Sequence, residues 1–176
     1  MSEKLCALKK IVGGINESIL TNAIWQNDFG DQGATIPTTI SMPAVRTYEF
    51  EAIVPTQGSQ VKAIFSFGGS NTAGGDISLS NTRFSVYANG SIVNDTSLNI
   101  DTTRKHHIAI VMGTDYIKLY VDNHLIGSYN KTATTAMRTS RSFVFGVNES
   151  SSDQNWNGGV LYKLAITSNS GEDFVL

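Results

Sequence analysis

Two periodicities organise the chain. From about residue 45 to residue 168, apolar side chains recur at every second position, the spacing that sends one face of a strand into a core and the other to solvent. Tyr48, Phe50, Ala52 and Val54 fall on one side of a run whose other side carries Thr47, Glu49 and Glu51. Val61, Ala63, Phe65 and Phe67 make a second stripe and Phe84 and Val86 a third. Phe143, Phe145 and Val147 make a fourth, and Val160, Tyr162, Leu164 and Ile166 a fifth. Ile117, Leu119 and Val121 alternate with Tyr116, Lys118 and Tyr120. Residues 106–111 are mostly apolar without alternation, which predicts a strand covered on both faces. Between these two runs and the next stands Asp122-Asn123. Both residues tolerate the left-handed conformation that a two-residue hairpin turn demands, so a hairpin is predicted there.

About a dozen short strands with turn signals every 8–12 residues predict an all-β, two-sheet antiparallel jelly-roll sandwich. Such stripes exclude water only when two sheets pack face to face, about 10 Å apart. The second periodicity is helical and local. Leu5, Leu8 and Val12 fall near i, i+3 and i+7, and Gly13-Gly14 stops the pattern. Residues 1–15 are therefore predicted as an N-terminal arm with a short helix, below the ~12–15 residues that hold together alone and in need of a partner surface. Residues 16–176 are assigned to a single sandwich domain. Within it, residues 16–44 are punctuated by Asn, Thr and Pro, with Pro37 and Pro43 marking edges or loops, and Phe174-Val175-Leu176 form a candidate last strand.

The order of the motifs resembles a known family. Lys105-His106-His107-Ile108-Ala109-Ile110 followed by Leu119-Tyr120-Val121-Asp122-Asn123-His124-Leu125-Ile126-Gly127 is similar to the signature hairpin of the laminin-G/pentraxin-like branch of the concanavalin A-like jelly rolls. Phe143-Val144-Phe145-Gly146 and the closing run from Trp156 through Ile166 resemble later strands of that family. Tyr48–Val54 and Ile64–Gly69 fall where it has its first core strands. The resemblance covers roughly residues 45–168. Lys105 stands where the family usually has Trp, Asn123 where it has the turn Gly, and Tyr162-Lys163 where it has an acidic pair. The last departure weakens any claim to an ion site or interaction inherited from that pair. The resemblance implies the sandwich fold and a binding role, most often outside cells.

Composition narrows the classes. The net charge of -2 is unsuited to a nucleic-acid partner, which needs a basic face. Lys9-Lys10 and Arg104-Lys105 are two small basic spots of solvated surface. Charged residues are 16%, against about 25% in typical globular proteins, and Ser, Thr, Asn and Gly of polar turns take their place. No run approaches the ~20 apolar residues of a membrane span, so no membrane insertion is expected. The N-terminus lacks the apolar core and cleavage site of a secretory signal. Cys6, the single cysteine, has no His or acid patterned around it and is read as structural or incidental. Five N-x-[ST] triplets, at Asn16, Asn89, Asn94, Asn130 and Asn148, are read as weak glycosylation signals for a chain rich in Asn and hydroxyl residues.

Catalytic motifs are sparse. A laminarinase-type pair would need two acids on one strand face, and Glu49 with Glu51 is the best local candidate, though the third acid of such motifs is missing: Ile53, Val54 and Pro55 follow. His106 and His107 go to opposite faces and cannot chelate one ion together. No metal helix, nucleophile elbow or phosphate loop is present in the sequence. The chain is therefore expected not to be an enzyme.

Binding chemistry concentrates in two loops. Residues 68–76 offer Asn71 and Asp76; residues 148–158 offer Asp153, Asn155, Trp156 and Asn157. Sugars stack an apolar ring face on an aromatic while their hydroxyls meet amides and carboxylates, which makes Trp156 a candidate platform. The competing role for Trp156 is to plug one end of the sandwich. Asp153 and Glu149 are the candidate ligands should the loop take Ca2+, which binds six to eight oxygens. No cofactor is required. The expected function is a non-catalytic binding or adhesion module for a glycan or host-surface receptor, displayed on a virion or extracellular surface after cytoplasmic synthesis. It would form a homo-oligomer, with neighbouring subunits engaged through the arm. The alternative is a structural virion protein, a head decoration or tail appendage without glycan binding; a glycoside hydrolase is a distant third.

Overall fold

A computed structural model describes residues 25–26, 34–41, 46–67, 75–88, 91–130, 140–145, 147–148, 151–156 and 158–168, with residues 25–26, 34–41, 67, 75, 88, 91–92, 140–145, 147–148, 151–155 and 163–168 described by their backbone. The described chain is all strand and turn. In order the strands are β1 (Trp25–Gln26), β2 (Ala34–Ser41), β3 (Arg46–Ile53), β4 (Ala63–Phe67) and β5 (Gly75–Leu79). There follow β6 (Phe84–Ala88), β7 (Ser91–Asp95), β8 (His106–Met112), β9 (Tyr116–Val121) and β10 (His124–Asn130). The last four are β11 (Ser140–Phe145), β12 (Val147–Asn148), β13 (Ser151–Asn155) and β14 (Val160–Ser168).

They form two antiparallel six-stranded sheets and a two-stranded ribbon. The first sheet runs β1-β14-β3-β8-β9-β10, the second β2-β11-β4-β5-β6-β7, and β12 pairs with β13. The non-sequential neighbours, β14 between β1 and β3, β8 beside β3 and β11 between β2 and β4, are the crossovers that turn a run of hairpins into a two-layer sandwich.

The predicted hairpin forms as the residue types dictate. Asp122 and Asn123 have φ of 49° and 67°, the left-handed pair of a type I′ connection. Val121 then meets His124 across the turn, and β8 pairs with β9 through Ile108↔Val121 and Ile110↔Leu119. On β9 the burial alternates, with Ile117, Leu119 and Val121 inward. On β8 all residues except His107 are buried, as the unbroken apolar run predicts.

Tyr48 and Phe50 of the first sheet meet Phe65 of the second, stacked at 5.3 Å and edge-on at 5.5 Å between centroids. Ile77, Leu79, Phe84, Val86, Ile108, Ile110, Ile117 and Leu119 fill the space around them, each 0% exposed. The free edges of the two sheets are also joined: the Tyr129 hydroxyl of β10 donates to Asp95 of β7 at 2.7 Å, and the Tyr129 ring lies 5.6 Å from that of Phe84. Pro37 lies within β2, the edge of the second sheet and the place a residue without an N–H is tolerated, beside a register break between Ser142 and Phe143 of β11.

One predicted stripe is corrected. Val61 lies outside β4 and is partly exposed, while Ile64 is buried in the core. A register shift between Ala63 and Phe65 opposite β5 inserts the extra residue. Strict alternation cannot foresee such a bulge. The predicted arm at residues 1–15, with Cys6, and the terminal residues 174–176 lie outside the described residues.

Candidate functional site

The outward face of β5 and β6 carries the most suggestive chemistry. Alternation sends Ile77, Leu79, Phe84 and Val86 into the core and puts Asp76, Ser78, Ser85 and Tyr87 on the other face of the sheet, where Ser78 and Ser85 are buried, Asp76 is partly buried and Tyr87 is exposed. The register then places Asp76 directly opposite Tyr87, with Ser66 of β4 on the other side of Asp76 and Ser91 of β7 opposite Tyr87. Directly opposed residues have Cβ atoms ~4.5–5.5 Å apart. A carboxylate and a phenol ring therefore stand side by side on one surface.

Their environments differ. Tyr87 is 49% exposed, so its ring face is open to solvent. Asp76 is partly buried, and the loss of water pushes its carboxyl up to about 6. A carboxylate held half out of water at such a cost is the kind of group that functional sites retain. An aromatic face beside an acceptor matches the two needs of a bound sugar, stacking and hydroxyl pairing.

The outer face of the first sheet holds a different arrangement. Glu49 and Glu51 share that face, as predicted, but each has a cationic or ring partner. Glu49 Oε1 lies 2.8 Å from His107 Nε2, and Lys105 Nζ donates to Glu51 Oε2 at 2.7 Å. Lys105 Nζ also lies 5.4 Å from the centroid of the Tyr162 ring. Lys105 thereby ties the turn before β8 to β3 and β14.

His106, on the opposite face of β8, is structural. Its Nδ1 lies 2.8 Å from Asp122 Oδ2 and its Nε2 2.8 Å from the Asp101 carbonyl. Burial works to raise the Asp122 carboxyl. The hydrogen bonds it accepts from His106, the His107 amide and Arg104 outweigh that and hold it below the usual carboxylate range. Among the described residues no group of three or more His, Cys, Asp or Glu side chains can hold a metal ion.

Trp156 is corrected as a sugar platform. Its ring is 2% exposed, and its Nε1 donates to the Leu79 carbonyl at 2.7 Å. It is the plug of the two roles weighed above. Gly159 accommodates it: a Cβ there would meet the indole at 2.7 Å. Gly158, at φ 88°, makes the turn that brings Gly159 back under the ring. Asp153 and Asn155 lie in β13 and are described by backbone alone. Asn71, Glu149 and Asn157 lie outside the described residues. Of the expected ligand-binding side chains, Asp76 is the one the structure places, partly buried, opposite an exposed aromatic. Tyr87 was not singled out from the sequence; its signal was the inward pair Phe84 and Val86, which leaves Tyr87 facing out.

Solved structures share this architecture at low identity. Trypanosoma rangeli sialidase in complex with sialic acid matches with a TM-score of 0.57 and 12% identity over 85% of this chain and 25% of that one. Domain 4 of AbnA, an extracellular GH43 arabinanase from Geobacillus stearothermophilus, in complex with arabinotriose, matches with a TM-score of 0.57 and 14% identity over 88% of this chain and 76% of the domain. The Caenorhabditis elegans galectin LEC-6 matches with a TM-score of 0.50 and 9% identity over 84% and 94%. The chain thus spans about a quarter of the sialidase. No curated protein matches the sequence. The family model Laminin_G_3 of the concanavalin A-like lectin/glucanases superfamily matches residues 27–169, and the chain belongs to that family.

Proposed function

We propose that this chain is a non-catalytic carbohydrate-binding module whose ligand lies across the outer face of the second sheet, stacking on Tyr87 and hydrogen bonding to Asp76. The observation that carries the reading is the direct opposition of an exposed aromatic and a half-buried carboxylate on neighbouring strands. The Tyr87 ring, 49% exposed, stands directly opposite that acid on the same face of the sheet. The family and the carbohydrate complexes of similar structures support the ligand class. The pairing of Glu49 with His107 and of Glu51 with Lys105 supports a structural rather than a hydrolytic role for those acids.

A glycan array probed with the full chain and with Tyr87→Ala tests the reading. Stacking of one ring on an aromatic contributes ~0.5–1.5 kcal/mol beyond burial, and loss of the apolar contact adds to that. At least a tenfold loss is expected in the variant, with unfolding unchanged. A silent array for the wild type, or equal binding by the variant, rejects it. The array run with and without calcium also tests the expectation for Asp153 and Glu149. Display on a particle or cell surface, with residues 1–15 engaging neighbouring subunits, belongs to the same reading. Light scattering of the chain with and without residues 1–14 tests that part, and the two giving the same mass would reject it.

A further inference from the structure

We infer that β10 is a self-association edge: a second copy of this chain pairs its own β10 antiparallel against it and joins the two first sheets into one. β10 is the margin of its sheet, and among the described residues its one strand neighbour is β9. A margin of unpaired N–H and C=O groups is a template for another strand, and folds guard such margins with short strands, proline or charge. The other three margins of this sandwich are guarded in those ways. β1 is two residues long, β2 contains Pro37 and β7 carries Asp95. β10 is seven residues long and has no proline, acid, lysine or arginine. It holds two of the three large exposed apolar side chains among the described residues, Leu125 at 52% and Ile126 at 38% exposure. Tyr120, half-buried, stands opposite Leu125 on the same face. Single exposed apolar residues are ordinary; an adjacent pair on an unguarded margin is not.

Charge and register point to a second copy as the occupant. A strand that pairs with its own image meets every charge it carries, and like charges directly opposed destabilise a sheet; β10 brings no acid, lysine or arginine to such a meeting. Antiparallel partners share a face. Leu125 and Ser128 lie on the outer face, opposite Tyr120 and Lys118, while His124 and Tyr129 lie on the inner face, opposite Val121 and Ile117. Faces therefore match when Leu125 meets Ser128 of the second copy and His124 meets its Tyr129, with the two-fold axis between Ile126 and Gly127. Lys118 of one copy is then aligned with Tyr120 of the other and not with its like. The register break between Leu125 and Gly127 makes Ile126 the extra residue of a bulge and sets it at the axis, beside its own image. A contact of this isologous kind closes on itself as a dimer. A single margin is a small interface, so the dimer is a weak one. The inference stands apart from the carbohydrate reading. Where both hold, the second sheets lie on one side of the joined sheet and both Tyr87 rings face the same way, so that one glycan surface engages two sites.

Sedimentation velocity of the full chain from low to high micromolar concentration is expected to show a monomer giving way to a dimer. Leu125→Lys combined with Ile126→Lys is expected to weaken association at least tenfold. Both side chains are exposed in the single copy, so the variant's thermal unfolding at low concentration should match that of the wild type. Leu125→Cys combined with Ser128→Cys, in a Cys6→Ser background, is expected to lock the dimer on mild oxidation. Directly opposed Cα atoms ~4.5–5.5 Å apart suit a disulfide, whereas along one strand the two positions are ~10 Å apart. Leu125→Cys alone should not cross-link. A chain that stays monomeric at every concentration overturns the inference. So does a dimer that tolerates both lysines, or one that the cysteine pair fails to lock. A dimer lost on deleting residues 1–14 and kept with both lysines also overturns it and assigns association to the arm.

Discussion

Trp156 donates its indole proton to the carbonyl of Leu79, 2.7 Å away and 77 positions earlier in the chain. This single bond holds the turn between β13 and β14 against β5 of the second sheet. The ring has no solvent-facing surface to offer a ligand, and its polar edge is satisfied inside the protein.

Replacing the ring should therefore damage stability rather than recognition. Trp156→Ala is expected to lose about 3–5 kcal/mol in chemical denaturation. Trp156→Phe keeps much of the volume and leaves the Leu79 carbonyl unpaired, for a loss of about 1–3 kcal/mol. Gly159→Ala drives a Cβ into the indole and should cost a similar amount through overpacking. A Trp156→Phe variant with wild-type stability would show that the bond contributes nothing.

Asp76 should show the opposite balance. Its carboxyl is pushed up to about 6 from an ordinary 3.8 by burial. Between those values the folded chain holds a proton that the unfolded chain has released. Stability conferred by that proton is present at low pH and is lost as pH rises through the window. The wild type should lose stability between about pH 4 and pH 6, and Asp76→Asn should remove this slope. The variant is expected to be more stable at pH 7 by about 1–2 kcal/mol while binding its glycan less well. Denaturation midpoints at pH 4, 5, 6 and 7 read the slope directly; a variant less stable than wild type at pH 7 rejects the account.

Asp122 carries the reverse sign. Its folded carboxyl lies below the usual value, so it stabilises the protein above the unfolded value of about 4, and that support is lost as pH falls through the folded value. Asp122→Asn should cost about 1–3 kcal/mol at pH 7, because hydrogen bonds to His106, the His107 amide and Arg104 weaken together. The deficit should close on acidification, which paired melts at pH 7 and pH 2.5 would show.

Asn123 offers a milder test of the hairpin. At φ 67° it occupies a conformation that glycine reaches without steric cost. Asn123→Gly should fold normally, and Asn123→Val should lose stability, because a β-branched residue resists that conformation. Equal melting temperatures for the two variants would contradict the turn geometry.

The hairpin was legible because its signals are local: alternation on β9, an apolar run on β8, and two residues tolerant of positive φ between their neighbours. Val61 misled because strand β4 begins later and a bulge between Ala63 and Phe65 breaks the period of two. Trp156 was undecided in the sequence because its neighbours are polar, while its burial depends on Leu79 in a distant strand. Asp76 was legible as a polar loop-end residue. Its partnership with Tyr87 was not, since cross-strand register comes from the turn between β5 and β6 and from the core pairs on the other face.

The contact of Tyr129 with Asp95 and Phe84 has a mechanical consequence. It fastens the last strand of one layer to the last strand of the other, at the flank where an open sandwich is easiest to peel. Neither margin can fray alone. Amide protons along β7 and β10 should consequently exchange with solvent as one cooperative unit, and Tyr129→Phe should split that unit into two independently opening margins.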